Sequence, residues 1–475
     1  MEFLSGITSF SYLFDIIIIF VIVCVQKRNT LTSIAWILAL LLFPTIGGIM
    51  FLIFGVGLRS YNKRKYFEKY LMKEKSILDT QKKLIKEQYE NDLPDSATIN
   101  YFLDKNCVFC SRNDVKIFTD ARDKYKNLFE DIKNARKNIN IEYFIVRNDV
   151  VGNELIDLLL KKVREGVHVR LMYDGWGSFF TPKRFFNRLR NEKNCEVWEF
   201  FPVRIFSMSK INHRNHRKIV VIDDEIAYIG GMNIGDEYMS KNKKRNLPWR
   251  DTHIRVVGDA VQRINECFAF DWEFSTGKQV DMAEYAGDKE PGADSVAMQI
   301  VTSGPDSEDE EIKCGMIRML YSAKKYAYIQ TPYFVPDQAF MTAVKTAIQS
   351  GVDVRFMIPG MPDKKYVYHT TMSYIGELLA VGARVFLYPG FIHSKTIAVD
   401  DRMSTIGTTN IDIRSFRLLF EINAFMYSEN VAEECREIFE KDQEVCHELF
   451  EDEYKKRGVI RMIKEGFFRL FSPIF

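Results

Sequence analysis

Neither sign of charge prevails in this 475-residue chain: 66 Lys and Arg stand against 64 Asp and Glu, a formal net charge of +2. Without a basic surplus the whole-molecule signature of a nucleic-acid binder is missing, and only a local basic cleft could serve an anionic ligand. Cysteine is sparse as well. Eight thiols, at 24, 107, 110, 195, 267, 314, 435 and 446, are too few and too scattered for a disulfide scaffold at this length. Cys107 and Cys110 form one isolated CxxC with no second pair and no ligand-spaced histidine, so they read as reduced thiols. Low complexity is absent too. Hydrophobic residues make up 47% and charged residues 27%, which excludes disorder and fibrous repeats. The length accommodates two or three domains around a large core.

Charge also avoids the N-terminus. Residues 3–25 are almost wholly apolar with Asp15 as the one charge, and after Gln26-Lys-Arg-Asn29 residues 31–58 carry no charge at all. Each run meets the roughly 20 apolar residues that a helix needs to cross a bilayer. A cleaved leader does not fit: Glu2 stands where a basic segment belongs, no small-residue cleavage site follows, and a second apolar run comes at once. The reading is a transmembrane helical hairpin over residues 1–60, its second arm interrupted by Pro44, Gly47 and Gly48. Asp15 is expensive at a bilayer centre, which puts it near an interface or against the partner helix. Arg59, Lys63, Arg64 and Lys65 follow the second arm, so the positive-inside rule directs the N-terminus and the long remainder to the cytoplasm. Residues 61–105 read as a juxtamembrane connector, charged and helix-favouring up to the stop at Pro94.

Beyond it, strand-like runs at 139–145, 167–172 and 218–222 alternate with helix-like stretches such as 152–165, which indicates an α/β class with a largely buried sheet. An internal repeat decides the organisation. Glu165-Gly-Val-His-Val-Arg-Leu-Met172 recurs as Ser350-Gly-Val-Asp-Val-Arg-Phe-Met357, and Tyr143-Phe144 answers to Tyr333-Phe334. His216-Arg-Lys-Ile-Val-Val-Ile-Asp223 is matched by His393-Ser-Lys-Thr-Ile-Ala-Val-Asp400, each followed at the same spacing by Gly230-Gly-Met-Asn233 or Gly407-Thr-Thr-Asn410. A polar spacer over residues 275–297 separates the halves.

With only 7 histidines, even the loose pattern His-x-basic-x4-acidic is expected about 0.13 times in this composition, so two strict copies are not accidental. The spacing makes chemical sense. His and Lys at i and i+2 on a strand point to one face, and Val220 and Ile222 continue that face into the core. Packed about a pseudo-two-fold axis, the halves would bring two imidazoles and two ammonium groups into one cleft. Two lysines offset charge on phosphoryl oxygens without Mg²⁺. One neutral His can attack phosphorus while the other, protonated, donates to the leaving oxygen.

These paired motifs resemble the phospholipase D superfamily, and the chain as a whole resembles the bacterial cardiolipin synthases of that type. The likeness also rests on Trp36-Ile-Leu-Ala-Leu-Leu-Leu-Phe-Pro44, Trp249-Arg-Asp-Thr-His253, Val301-Thr-Ser-Gly-Pro-Asp306, Gln330-Thr-Pro-Tyr-Phe-Val-Pro336 and Arg469-Leu-Phe-Ser-Pro473. It implies duplicated phospholipase D-type domains, at 106–275 and 297–455, each a mixed sheet flanked by helices, the two meeting at one site. It implies transfer of a phosphatidyl group from one phosphatidylglycerol to another, giving cardiolipin and glycerol, at the bacterial cell membrane among anionic lipid. No nucleic acid, cofactor or metal enters that reaction.

Carried onto this sequence, the resemblance makes His216 the nucleophile and His393 the general acid/base, with Lys218 and Lys395 binding phosphate and Asn233 and Asn410 as further donors. Asp223 and Asp400, counted with the catalytic set, would be its structural and electrostatic members. A carboxylate further along orients a catalytic imidazole in that family. Glu421 fits the place in the second half. In the first half Lys244 stands at equal spacing, and Asp251 is the replacement. Thr408 stands where the first half has Gly231, so the halves are not equivalent. Two other classes share the motifs or the hairpin: a phospholipase D-type phosphodiesterase that hydrolyses phospholipid or nucleic acid, and a catalytically idle membrane tether. Both complete motifs oppose the tether, and the hairpin and neutral charge oppose a nuclease.

His168, His369 and His447 fall outside the motifs and read as surface or packing residues, while His213 and His253 lie near them. The basic run 241–245 reads as a solvated loop. Residues 456–475 mix Val459, Ile460, Met462, Ile463, Phe467, Leu470 and Phe471 with Arg457, Arg461, Lys464 and Arg469. That mixture suits an amphipathic segment lying on anionic lipid, or else a helix docked on the catalytic domain.

Overall fold

The computed structural model describes residues 14–25, 30–51, 77–83, 96–203, 212–240, 248–280, 295–305, 307 and 309–472. Gln26 to Asn29, the basic residues at 59–65, most of the 61–105 connector, the 241–245 run, most of the 275–297 spacer and Pro473 lie outside these residues.

Two mixed sheets carry the fold. The first has seven strands in the order Asn113–Phe118, His253–Gly258, Ile226–Gly230, Lys218–Ile222, Asn138–Tyr143, His168–Asp174 and Cys195–Phe200. The last three are mutually parallel and the rest antiparallel. The second sheet repeats this plan over Ala297–Ser303, Leu419–Tyr427, Met403–Gly407, Thr396–Val399, Tyr326–Gln330, Asp353–Pro359 and Arg384–Tyr388. It gains Phe109–Cys110 at one edge and His447–Leu449 at the other. The helix Ser96–Asp104 also packs into this second half, with Phe102 4.7 Å from Phe425 between ring centroids. The chain therefore enters through the second half before it builds the first.

Strand Lys218–Ile222 is buried throughout, which is why its sequence is a continuous apolar run rather than an alternation. Ile219 and Val221 join a core shared by both halves, together with Phe268 and Trp272 of the helix Ala260–Thr276. Val220 and Ile222 face the other way, beneath the helices Ala121–Asn134 and Val150–Arg164. Those helices start at Asp120 and Asp149, whose side chains accept from the backbone N–H of Arg122 and Gly152.

Strand register corrects one feature of the repeat. Ile139 pairs with Ile222, and Ala327 pairs with Val399, one residue before each motif Asp. Tyr143 therefore corresponds to Thr331, and Tyr333-Phe334 lies two residues beyond the place of Tyr143-Phe144.

The motif aspartates are bound into the framework of their sheets. Asp223 and Asp400 both stand at positive φ (55° and 54°) in the turn after the His-Lys strand, roughly 20 Å along the chain from the imidazoles. Asp223 accepts backbone N–H bonds from Arg136, Lys137 and Asn138 at 2.7, 2.7 and 3.0 Å. Asp400 does the same for Lys324, Lys325 and Tyr326 at 2.7, 2.9 and 2.8 Å. Each carboxylate ties the hairpin turn to the start of the neighbouring strand. Asp223→Ala or Asp400→Ala should thus lower stability by about 1–3 kcal/mol, read as a lower denaturation midpoint, with kcat little changed in the folded fraction.

At the N-terminus, the helix Thr30–Leu42 stops before Pro44 and a short helix, Ile46–Met50, follows Thr45 at φ 72°. Asp15 is turned into this break, where Thr45 N–H donates to its carboxylate at 3.3 Å. Among the described residues no helix is long and apolar enough to cross a membrane. Residues 3–13 and 52–58 of the expected transmembrane hairpin lie outside the described residues, and the part described holds no continuous span.

The C-terminal helix Val459–Arg469 is docked on the helix Lys365–Leu379. Its buried Glu465 accepts from Arg457 at 2.8 Å, Arg461 at 2.9 Å and the Tyr454 hydroxyl at 3.1 Å, while Arg469 reaches Glu377 and Phe468 stacks on His369.

Candidate active site

Two short parallel pairings between the halves build the site. Arg214-Asn215 runs beside Leu419-Phe420, and the His216 N–H donates to Phe420 C=O at 3.0 Å. Phe391-Ile392 runs beside Trp249-Arg250, and the His393 N–H donates to Arg250 C=O at 2.6 Å. Each histidine thereby arrives opposite the carboxylate one residue further along the partner strand. His216 Nδ1 lies 2.9 Å from Glu421, and His393 Nδ1 lies 2.6 Å from Asp251.

This reverses the assignment of carboxylates to halves. Glu421 of the second half serves the first histidine, and Asp251 of the first half serves the second. The sequence interval concealed the equivalence: Asp251 follows His216 by 35 residues, whereas Glu421 follows His393 by 28. Register supplies it, because Gly230 pairs with His253 as Gly407 pairs with Asn423. Gly231 is needed where it stands, since a Cβ there would lie 2.0 Å from the Asp251 carboxylate. Its counterpart Thr408 donates its hydroxyl to Glu421, which gives the asymmetry of the two halves a physical content.

Lys218 and Lys395 are fully buried, and each Nζ donates to the carbonyl of the histidine two residues before it, His216 and His393. Burial pushes both ammonium groups down, Lys218 to about 7 and Lys395 to about 8. Burial also depresses both imidazoles, His216 to about 4 and His393 to about 3, against the pull of their carboxylates. The Lys395 charge acts on His216 and that of Lys218 on His393, so the four groups form one electrostatic unit. Burial alone would raise Asp251, but His393 and Lys395 hold it below the usual range. A neutral imidazole that donates Nδ1–H to a carboxylate presents a bare Nε2, which is the form a nucleophile needs.

Asn233 braces the wall: it accepts from Ile145 N–H at 3.0 Å and donates to the Tyr238 hydroxyl at 2.7 Å, leaving at most one amide hydrogen for a ligand. Asn410 is buried beside Asp412. Several contributors escaped sequence reasoning. Phe144 meets His216 edge-on at 5.1 Å, and Trp249 and Phe391 pack on His393 at 5.3 and 5.8 Å. Arg250 pairs with Asp442 at 2.7 Å, and Arg217 binds both Asp271 and the Glu421 carbonyl. For Arg217 and Arg250, adjacency to His216 and Asp251 was the available signal. His253 is buried in the first sheet, both ring nitrogens without a hydrogen bond among the described residues, and His213 is buried near Leu418.

The pairing of charges sets a pH profile. kcat/KM should fall as pH rises, because His393 must take up the proton it gives to the leaving oxygen, and fall more steeply through about 7 to 8, where the lysines lose charge; protonation of His216 sets an acid limb only near about pH 4. Rates measured from pH 4 to 9 at low substrate check this, and a flat alkaline side overturns it.

Two crossed imidazole–carboxylate pairs and two buried lysines, set where the two equivalent sheets meet, define a phospholipase D-type enzyme. Residues 128–272 and 316–443 match the family described as "Cardiolipin synthase, PLD-like domain", and residues 13–55 match "Phospholipase_D-nuclease N-terminal". The cardiolipin synthase of Oceanobacillus iheyensis is 42% identical over 99% of this chain and all of its own length. The major cardiolipin synthase of Bacillus subtilis is 41% identical over the whole of both chains. The chain belongs to the bacterial cardiolipin synthase family of the phospholipase D superfamily. It is an enzyme of the phosphatidyltransferase type, associated with membranes. Among solved structures, phosphatidylserine synthase of Haemophilus influenzae shares the fold, with a TM-score of 0.61 at 15% identity over 80% of this chain and 98% of that one.

Proposed function

We propose that the enzyme makes cardiolipin from two molecules of phosphatidylglycerol through a phosphohistidine. The observation that carries this reading is the crossed geometry, which gives each imidazole a carboxylate on Nδ1 and leaves two Nε2 atoms beside two ammonium groups. Burial holds both imidazoles neutral before substrate binds. A bound phosphodiester brings a negative charge that favours one protonated imidazole, assigned to His393.

His216 Nε2 then forms a bond to phosphorus while the bond to the glycerol oxygen breaks, and His393 gives that oxygen its proton. Glycerol leaves. The primary hydroxyl of a second phosphatidylglycerol passes its proton to His393, its oxygen bonds phosphorus, and the N–P bond breaks. Lys218 and Lys395 hold the equatorial oxygens, with Asn410 and the remaining Asn233 hydrogen as further donors.

The two repeats, 106–275 and 297–455, form this site together, and residues 1–60 anchor them as a transmembrane hairpin with the catalytic part in the cytoplasm. Its two apolar runs and the N-terminal family match over 13–55 support that arrangement. Purified enzyme incubated with labelled phosphatidylglycerol alone should yield cardiolipin and glycerol in equal amounts. Phosphatidic acid as the dominant product would replace this reading with a hydrolase.

A further inference from the structure

The loops that follow the two equivalent strands, His168–Asp174 and Asp353–Pro359, form opposite rims of the cleft. Asp174 accepts from Asn215 N–H at 3.0 Å, one residue before His216, and Ser178 in the same loop is bonded to Phe144 and Val146. On the other side the Met361 N–H donates to Gly390 C=O at 3.1 Å, three residues before His393. Both rims present apolar side chains to the outside: Trp176, Phe179 and Phe180 on the first and Met361 on the second, with Phe180 84% exposed. Exposed basic residues stand directly beside each, Lys183 and Arg184 on the first and Lys364 and Lys365 on the second.

The C-terminal helix extends the second rim. It packs on the helix that starts at Lys365, where His369 stacks on Phe468 with ring centroids 5.9 Å apart. Its orientation is the reverse of ordinary docking. A helix usually buries its apolar stripe and shows its charges to water. Here Glu465 and its two arginines are turned inward, and Ile460, Ile463, Phe467 and Leu470 face out, Leu470 at 76% exposure. Lys456 and Lys464 are exposed beside them.

From this we infer that the two rims and the outward side of the C-terminal helix form one face that seats the cleft mouth on an anionic phospholipid bilayer. An exposed apolar surface of this extent needs a cover. A protein partner on both rims would close the cleft, whereas a bilayer both covers them and supplies substrate to the opening. The interleaved lysines and arginines complement anionic headgroups, and aromatic side chains are at home at that depth. The inference rests on the reading of a membrane phospholipid as substrate, and adds which surface meets the membrane.

The full chain tests it, since the face is read by position rather than by attachment. Vesicles of phosphatidylglycerol with brominated acyl chains should quench Trp176, its contribution taken as the difference between wild type and Trp176→Phe. Unquenched Trp176 overturns the inference. In the double variants Phe179→Ser/Phe180→Ser and Ile463→Ser/Leu470→Ser, the rate on vesicles divided by the rate on short-chain, monomeric phosphatidylglycerol should fall about tenfold. An unchanged ratio in both also overturns it. Quenching of Trp176 without any transfer by the wild type refutes the proposed reaction and still supports the face.

Discussion

His216→Ala and His393→Ala should each reduce cardiolipin formation to background, a loss of about ten-thousand-fold. The expectation follows from the construction of the site. Each imidazole is delivered by one half and oriented by the other, so neither half holds a complete catalytic pair. In the proposed reaction, loss of His216 removes the nucleophile and loss of His393 removes the general acid/base. Lys218→Met and Lys395→Met should cost about 3–4 kcal/mol of transition-state stabilisation each, because preorganised cations act strongly in a buried site. Chelators should leave the wild type unaffected, since the proposed reaction places lysines and no metal at the phosphoryl oxygens. Glu421→Gln and Asp251→Asn should be milder than the histidine variants, and their partners are specific. Glu421→Gln should be non-additive with His216→Ala, and Asp251→Asn with His393→Ala, in double-mutant cycles of kcat/KM. Near-normal turnover after loss of either histidine would refute a single shared site.

Much of this site was legible because duplication repeats the chemistry. The two His-x-Lys-x4-Asp segments fall on equivalent strands, and the continuous apolar runs after each lysine mark strands buried on both faces. What sequence could not supply was the pairing between halves. Glu421 lies within the second repeat, so proximity along the chain assigns it to His393. Only the two-residue parallel pairings at Arg214-Asn215 and Phe391-Ile392 exchange the carboxylates, and segments that short leave no periodic signal. The same limit explains the Tyr-Phe correspondence: a match of two residues is easily displaced by two, and hydrogen-bond register decides it. For Asp223 and Asp400 the sequence suggested a structural and electrostatic part but not its partners: three backbone donors on a carboxylate in a left-handed turn are visible only once the neighbouring strand is in place.

In His393→Ala, a phosphatidyl group should accumulate on His216. Departure of glycerol and attack by the acceptor are separate steps through one covalent species. Without His393 the second step loses its base, while the first can still proceed slowly, because an alkoxide leaving group can take a proton from solvent. His216 remains competent in that variant: its Nδ1 is held by Glu421, whose own oxygen is fixed by Thr408, and none of these contacts involves His393. In the wild type, formation of the same intermediate should release glycerol before cardiolipin appears, and water reaching it first should give some phosphatidic acid. Added glycerol should drive the reaction back, since exchange of one alcohol for another on a phosphodiester has little net driving force. Acid quenching hydrolyses phosphohistidine, so the variant is best denatured under alkaline conditions and mapped by mass spectrometry. An adduct at His216 is the expected result. An adduct at His393 in the wild type would exchange the two roles while preserving the crossed pairs, and Asp251 would then orient the nucleophile.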